Sequence, residues 1–304
     1  MTKKGIILLS TRAFVREARQ ARNFSLFNLL HGYVYGRWTY FYIAMGLGTH
    51  PLAKRLSPVL NWIGKLIVSN APGEGQAPIG LEDTYHGKVL PLETARQLVS
   101  VKEDICLGDL EKVIPYALAR DIVLKNPDHI AVIDCPCRAA REHPCLPMDV
   151  CLIVGEPFAS FAVEHQPRRA RWISSEEAQA IIKAEDARGH VHHAFFKDAM
   201  LGRFYAICNC CTCCCGAMQA QRGGTPMLAS SGYVAQVDED QCQECGVCSQ
   251  ACPFEAIQMD GRPVVDLDRC MGCGICVGQC RQGAIELARM ESKGEPLSIM
   301  EPAL

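Results

Sequence analysis

The sequence predicts a mixed fold of class α+β/α/β, with a small cysteine-rich α/β domain followed by a domain built on a repeated cysteine motif. Three observations predict it. The chain has 304 residues, 49% hydrophobic and 21% charged, enough for two or three domains with buried cores. It contains nineteen cysteines. Residues 1–70 carry a net charge of +9 against −11 for the remainder, which sets a basic helical segment apart from an acidic body. The predicted parts are residues 1–75, 76–230 and 231–290, with a tail over 291–304.

The N-terminal segment combines positive charge with aromatic side chains. Its uncharged stretch from Trp38 to Ala53 has sixteen residues, and a spanning helix needs about twenty, so no transmembrane helix is expected there. Val59–Val68 is a second apolar stretch of the same kind. We expect residues 1–70 to dock on a redox partner protein or, alternatively, to lie on a membrane surface among lipid headgroups. No binding motif supports nucleic acid.

The middle domain alternates helix and strand signals between two linkers, Ser69–Pro78 and Thr225–Gly232. A capping box at Ser174–Glu177 opens a helix that we expect to end at Gly189. Cysteines follow two of the strands directly, and in open α/β sheets ligands gather at the carboxyl ends of strands. The other predicted helices are Leu92–Val99 and Leu110–Leu124, the latter started by Asp109, and the predicted strands are His129–Ile133, Val150–Val154 and Phe204–Ile207.

The carboxy-terminal domain contains the sequence Cys-x2-Cys-x2-Cys-x3-Cys twice, with an offset of 28 residues. Three thiolates at every third position can hold three corners of an iron–sulfur cube, and the fourth cysteine ligates the other cluster. The spacing therefore predicts two [4Fe–4S] clusters, one held by Cys242, Cys245, Cys248 and Cys280, the other by Cys252, Cys270, Cys273 and Cys276. Zinc is the alternative that four-cysteine spacings leave open, and Pro253 after the first repeat disfavours it.

These residues resemble the bacterial two-[4Fe–4S] ferredoxin domain over about 232–290, with Arg281 replacing the proline of the first repeat. The resemblance implies a ferredoxin-like fold and a redox function. Residues 130–290 as a whole, with CPCR and ICNCCTCCC, look like a group of long bacterial ferredoxin-type iron–sulfur proteins. That resemblance implies further iron–sulfur ligation in the middle domain.

The middle domain has ten cysteines of its own, and crowded free thiols oxidise unless a metal holds them. We expect one or two further iron–sulfur clusters, more readily two, because neighbouring residues of an extended chain project to opposite sides. On that argument Cys210 and Cys211 bind different clusters, as do Cys213 and Cys214. A single cluster with spare thiols, or a non-cubane cluster with more than four cysteines, stays open. The candidate ligands are Cys135, Cys137, Cys145, Cys151, Cys208, Cys210, Cys211, Cys213, Cys214 and Cys215.

Two other side chains are candidates for chemistry beside these cysteines. Arg138 could offset cluster charge or bind an anionic substrate, and a solvated surface position is the equal alternative. His192 could donate a proton or tune a potential, although a helix end with surface imidazoles at His190, His192 and His193 is the favoured interpretation. No dinucleotide fingerprint, P-loop or nucleophile–base pair is present.

Together these features predict an electron-transfer protein that relays low-potential electrons to or from a redox partner. A reductase whose middle cluster binds a substrate is the first alternative, and a zinc-stabilised scaffold the second. Only Gly5–Leu9 follow Lys3-Lys4 before polar residues, so no secretory signal is expected. We therefore expect a cytoplasmic protein of an anaerobic organism, peripheral on the inner membrane if residues 1–70 bind lipid.

Overall fold

The computed structural model describes residues 7–21, 24–53, 55, 84–108, 110, 112–116 and 121–298. The apolar stretch Val59–Val68, the linker Ser69–Pro78 and the expected helix start at Asp109 lie outside the described residues. Within the described part of the chain, no helix has the length and apolar character needed to cross a membrane.

The N-terminal segment forms three helices, α1 (Leu9–Ala18), α2 (Leu26–Arg37) and α3 (Thr39–Gly46). Ser25 caps α2, because its side chain accepts a hydrogen bond from the Asn28 backbone N–H at 3.0 Å. All three helices lie on the middle domain. In α1, Glu17 accepts a hydrogen bond from Lys125 Nζ at 2.8 Å. In α3, the Tyr40 hydroxyl donates to the Asp134 carbonyl at 3.0 Å.

One eight-stranded sheet organises the middle domain, in the order β2-β3-β4-β7-β6-β1-β8, with β5 paired to β3. Neighbouring strands are antiparallel except β1 and β8. The strands are β1 (Tyr85–Leu90), β2 (Ile105–Leu107), β3 (Ile122–Asp134), β4 (Asp149–Glu156), β5 (Ala170–Ile173), β6 (Val191–Lys197), β7 (Arg203–Cys210) and β8 (Leu228–Ala229). The helices are α4 (Leu92–Leu98), α5 (Pro136–Ala139), α6 (Phe158–His165), α7 (Ser175–Ala187) and α8 (Gly216–Arg222).

The sheet carries an apolar core on each face. One core contains Phe14 of α1, Tyr35 of α2, Phe158 and Phe161 of α6, and Cys151 of β4. The other core contains side chains of α4 and α7 packed on the opposite face of the same strands. Helices thus cover both faces, and the N-terminal helices cover the face that carries Cys151.

Three element predictions need correction. Residues expected to end the helix Leu110–Leu124 begin β3 at Ile122, because β-branched Ile122 and Val123 pair with β2 and favour a strand. The expected linker Thr225–Gly232 contains β8, which pairs with β1. The helix opened by Ser174 ends at Ala187, two residues before Gly189, whose positive φ turns the chain into β6.

The carboxy-terminal domain contains two short α-helices and two antiparallel strand pairs. Its strands are β9 (Tyr233–Val237), β10 (Ile257–Asp260), β11 (Arg262–Val265) and β12 (Ile285–Arg289), and its helices are α9 (Val247–Ala251) and α10 (Ile275–Gln279). β9 pairs with β12, and β10 pairs with β11 through the expected turn at Asp260-Gly261, where Gly261 has φ +70°.

This domain packs directly on the middle domain. Ile275 of α10 and Cys273 belong to the core that contains Cys135, Cys151 and Cys210. At the same contact, the Gln279 side chain donates a hydrogen bond to the Ala187 carbonyl of α7 at 3.3 Å. The Ser231 hydroxyl donates to the Gly272 carbonyl at 2.7 Å, which fixes the start of the second cysteine repeat against the incoming chain.

Candidate metal centres

The eight cysteines of the carboxy-terminal domain surround two separate cavities. One cavity is lined by Cys242, Cys245, Cys248 and Cys280, and we call this set the outer site. The other is lined by Cys252, Cys270, Cys273 and Cys276, the inner site. Each site takes three cysteines from one repeat and the fourth from the other. These are the two sets of four that the spacing predicts.

The backbone around these cysteines has turns and N–H groups suited to cysteine sulfur atoms that bind a cluster. Gly246 and Gly274 follow the second cysteine of each repeat with φ of +73° and +84°, a left-handed conformation that glycine adopts without strain. Backbone N–H groups donate hydrogen bonds to two inner-site sulfurs, from Ala235 to Cys270 Sγ at 3.4 Å and from Ala256 to Cys252 Sγ at 3.2 Å. Hydrogen bonds of this kind set the reduction potential of a bound cluster.

The two sites differ in exposure to solvent. Cys245 of the outer site is exposed, whereas its counterpart Cys273 in the inner site is buried against the middle domain. Burial raises the pKa of the Cys276 thiol to about 12, so a bound metal must displace its proton. Four thiols around a cavity fit an iron–sulfur cube at each position, and at the inner site backbone amides are also directed at sulfur.

The comparison with protein families agrees with this geometry. Residues 235–258 and 263–286 each match the model of the 4Fe-4S binding domain. The carboxy-terminal domain is a two-cluster ferredoxin domain. No curated protein sequence matches the chain significantly. The ferredoxin domain gives the chain an iron–sulfur electron-transfer role with two [4Fe–4S] clusters, and it covers one end of the molecule only.

Outside the ferredoxin domain, the ten middle cysteines separate into a group of six and a group of four. The first group, the six-thiol site, consists of Cys135, Cys137, Cys151, Cys208, Cys210 and Cys215. It lines a cavity of about 90 Å³ between the sheet and the N-terminal helices, and Cys211 also forms part of the wall of this cavity. The second, the four-thiol site, consists of Cys145, Cys211, Cys213 and Cys214, whose sulfur atoms all lie within 4.8 Å of one another.

The antiparallel sheet explains how the six thiols meet. β3 and β7 run in the same direction on either side of β4, so Cys135 after β3 and Cys208 near the end of β7 lie at one edge. Cys151 pairs in register with Cys208 across β4 and β7. The structure thus brings Cys135, Cys151 and Cys208 together at one edge of three antiparallel neighbours, β3, β4 and β7.

The six thiols form a continuous series of contacts. Cys135 exchanges hydrogen bonds with Cys137 and Cys151. Cys151 also contacts Cys208, and Cys215 joins Cys137 to Cys210. The hydrogen bonds from Cys137 and Cys151 hold the pKa of Cys135 well below its usual range, against the effect of burial. The lowered pKa favours the thiolate form of Cys135, which is the form that binds a metal.

The Cys211 sulfur belongs to the four-thiol site and the Cys210 sulfur does not, as the alternation of an extended chain predicts, although both residues line the six-thiol cavity. The same expectation for Cys213 and Cys214 is wrong: their sulfur atoms lie 3.6 Å apart in the four-thiol site. The reason is that the strand ends at Cys210 and residues 212–214 form a turn, so the side chains there no longer alternate between two faces.

Arg138 is fully buried, so the solvated-surface interpretation is wrong. Its guanidinium donates a hydrogen bond to Glu185 Oε2 at 2.6 Å and another to the Asn209 carbonyl at 3.3 Å, and a third goes to the Pro147 carbonyl. It therefore joins α7, the end of β7 and the loop that carries Cys145. With its donors directed at protein groups, Arg138 acts here as an anchor for both cysteine segments.

The histidines after α7 are not a surface cluster, contrary to the favoured interpretation. His192 and His193 are both fully buried in β6. His192 pairs with Asn209 across the sheet, with its Nδ1 2.6 Å from Asn209 Oδ1, and this pair faces away from Cys208 and Cys210. His193 is the register partner of Cys208 instead. Burial and the neighbouring His192 lower the pKa of His193 to about 3, which keeps its ring neutral.

Sequence reasoning missed the tyrosines that complete the cavity wall. The hydroxyl groups of Tyr35 and Tyr205 lie 2.8 Å apart beside the cysteines, and Tyr85 lines the same cavity. Lys197 Nζ lies 5.0 Å from the centroid of the Tyr35 ring and 4.8 Å from that of Tyr85. These residues come from α2, β1, β6 and β7, and only the fold brings them together. Only Tyr35 had a sequence signal, the aromatic richness of the N-terminal segment.

Proposed function

We propose that the chain relays electrons through three thiolate sites in series, the outer site, the inner site and the six-thiol site, with an iron–sulfur cluster in each. Bound clusters of this kind take up and release single electrons at potentials that burial and hydrogen bonds to sulfur determine. The protein contributes the spacing of the thiolates, the exclusion of water and the surface on which a redox partner docks.

The observation that carries the proposal is the shared core of the inner site and the six-thiol site. Cys273 and Ile275 of the ferredoxin domain pack in one apolar core with Cys135, Cys151, Cys210 and Cys215. The Arg222 side chain, next to that cysteine segment, donates a hydrogen bond to the carbonyl of Pro253 at 3.0 Å. A buried core that contains cysteines of both sites supports transfer between them without a mobile carrier.

The exposure of the outer site supports its role as the end of the path at which a partner exchanges electrons with the chain. Cys245 is exposed, and Cys242 and Cys280 are half-buried. A redox protein that docks at this end would approach the outer cluster closely. In this arrangement electrons enter or leave at the outer site, and the six-thiol site lies at the other end of the series, beneath the N-terminal helices.

A metal count tests the number of sites. Two [4Fe–4S] clusters contain about eight iron atoms, and a cluster in the six-thiol site raises the count to at least about twelve. We expect anaerobically purified protein to contain this higher number, and the double variant Cys137→Ala/Cys151→Ala to return to eight. The matched control is Cys106→Ala, an exposed cysteine outside both groups. Eight iron atoms in the wild-type protein would exclude the six-thiol cluster.

A reductase is the second candidate, and the Tyr35–Tyr205 pair is the observation that favours it. Two hydroxyl groups 2.8 Å apart in the wall of a thiol-lined cavity could pass a proton to a bound substrate. If the chain is a carrier, Tyr205→Phe should leave the rate of electron transfer to an artificial acceptor unchanged. A reductase would instead show a middle-cluster spectrum that responds to substrate, and Tyr205→Phe would slow substrate turnover.

A further inference from the structure

The four-thiol site differs in geometry from the other cysteine sites of the molecule. Among the residues that the structure describes, Cys145, Cys211, Cys213 and Cys214 are the one group of three or more His, Cys, Asp or Glu side chains close enough to share a single ion. Cys145 Sγ lies 2.9 Å from Cys213 Sγ, and Cys213 Sγ lies 3.6 Å from Cys214 Sγ. We propose that these four thiolates hold one zinc ion, and that no iron–sulfur cube occupies this site.

The spacing of the sulfur atoms decides between one ion and a cube. Four thiolates at the zinc–sulfur distance of about 2.3 Å form a tetrahedron with edges of about 3.8 Å. Thiolates that bind the corner irons of a cube are spread farther apart, because the cube itself lies between them. The sulfur atoms here lie within 4.8 Å of one another, which matches a single central ion.

The ferredoxin domain provides a comparison within the same chain. All eight of its cysteines lie in the described part of the structure, and neither set of four is gathered tightly enough to share one ion. Each set surrounds a cavity instead. The cysteines of the two ferredoxin sites are therefore spaced more widely than those of the four-thiol site. The short distances between sulfur atoms are specific to the four-thiol site and are not general to the cysteine sites of this chain.

The groups around the four thiols fit a structural zinc site. A tetrathiolate zinc site carries a net charge of −2, and such sites are held by surrounding hydrogen bonds. Arg141 donates hydrogen bonds to the Cys214 carbonyl at 3.1 Å and to Gln219 Oε1 at 2.6 Å. The Gln219 amide in turn donates to the Cys213 carbonyl at 2.9 Å. A cation and an amide from outside the ligand set therefore hold the turn that carries two of the ligands.

The zinc ion would tie two remote segments together. Cys145 lies in the loop after α5, and the other three ligands lie in the turn between β7 and α8. The same turn is flanked by Cys210 and Cys215 of the six-thiol site. A closed four-ligand site at this position fixes the segment from both sides without taking part in redox chemistry. This inference stands on sulfur geometry and is independent of what the six-thiol site binds.

The test measures zinc, iron and acid-labile sulfide per chain in wild-type protein and in the double variant Cys145→Ser/Cys213→Ser, with Cys106→Ser as the matched control. We expect about one zinc in the wild type and in the control, and its loss from the double variant while iron and sulfide stay unchanged. A loss of about four iron and four sulfide without any zinc would overturn the proposal. Loss of one iron without sulfide would overturn the assignment to zinc.

A second measurement covers the case in which the double variant does not fold. Wild-type protein produced with Co²⁺ in place of zinc should show the visible absorption bands of a tetrahedral cobalt tetrathiolate, with a stoichiometry of about one per chain. If cobalt binds without these bands, or does not bind at all, the proposal fails. The iron count of the six-thiol site is read separately by Cys137→Ala/Cys151→Ala, so failure of one proposal is distinguishable from failure of the other.

Discussion

At the scale of single residues, the pair Arg138–Glu185 holds the middle domain together. The two side chains are 0% and 1% exposed and 2.6 Å apart. Removing one partner of a buried ion pair leaves the other charge without compensation, at a cost of about 3–5 kcal/mol. We expect Glu185→Gln to lower the free energy of unfolding by this amount in anaerobic denaturant titrations.

The matched control for this variant lies on the same helix. Glu177 forms an ion pair with Arg171 at 2.6 Å, and both side chains are about half exposed, at 43% and 50%. Exposed pairs contribute less than about 1 kcal/mol, so Glu177→Gln should have a small effect. Equal losses from the two variants would show that burial of the Arg138–Glu185 pair does not matter.

The same pair predicts how stability depends on pH. Burial alone would raise the pKa of Glu185, but hydrogen bonds from His190 and Arg138 lower it below its ordinary value. A carboxyl with a depressed pKa in the folded state stabilises the protein above its unfolded pKa, and this stabilisation is lost as the pH falls through the folded pKa. The stability difference between wild type and Glu185→Gln should therefore be full near pH 7 and shrink below about pH 4. A difference that does not change with pH would contradict this assignment.

Sequence alone placed the ferredoxin cysteines but not Arg138. The spacing of a cluster motif specifies its ligands locally, since three of them lie within one loop. The partners of Arg138 are 9, 47 and 71 residues away in the chain. No local pattern contains that information, so burial of the arginine became visible only in the fold.

At the scale of elements, β6 is a central strand that sequence reasoning missed, along with β1, β2, β5 and β8. All seven of its residues, from Val191 to Lys197, are buried. It lies between β1 and β7, with helices over both faces, and a strand buried on both faces shows no alternation of polar and apolar residues. From the sequence, its histidines are therefore interpreted as the polar end of a helix. β7, which is more uniformly apolar in its centre, was predicted correctly as a strand.

Helix α2 carries the exposed apolar residues that bear on docking. Leu26, Phe27 and Leu30 are 76%, 57% and 61% exposed on the segment with the +9 charge. We propose that this face binds a redox protein with an acidic surface, and accordingly expect no flotation of the wild-type protein with anionic vesicles. Flotation of the wild type that Phe27→Ser/Leu30→Ser abolishes would identify a membrane surface as the partner instead.

At the scale of the whole molecule, docking of the ferredoxin domain breaks the symmetry of its two repeats. Ile275 opens α10 and is 1% exposed, whereas Val247 at the equivalent position of α9 is 41% exposed. The difference arises because Ile275 is buried in the core shared with the middle domain, whereas Val247 does not belong to that core. Repeat symmetry alone could not have predicted which half docks, since both halves carry the same ligands.

This asymmetry offers a direct test of the relay. Ile275→Glu places a charge in the shared core and should weaken docking, so that the magnetic coupling between the reduced inner cluster and the middle cluster is lost from electron paramagnetic resonance spectra. Val247→Glu is the matched control and should leave the coupling intact. Unchanged coupling in Ile275→Glu, with all iron retained, would contradict transfer through this contact.

The unequal burial of Cys245 and Cys273 also bears on damage by air. Dioxygen diffusing from solvent reaches the outer cube first, while the inner one is shielded by the packed sheet domain. Brief aeration should then bleach only part of the brown colour. Such a partly damaged molecule would still hold electrons in its inner cluster. It would have lost the outer cluster, through which those electrons are exchanged with a partner.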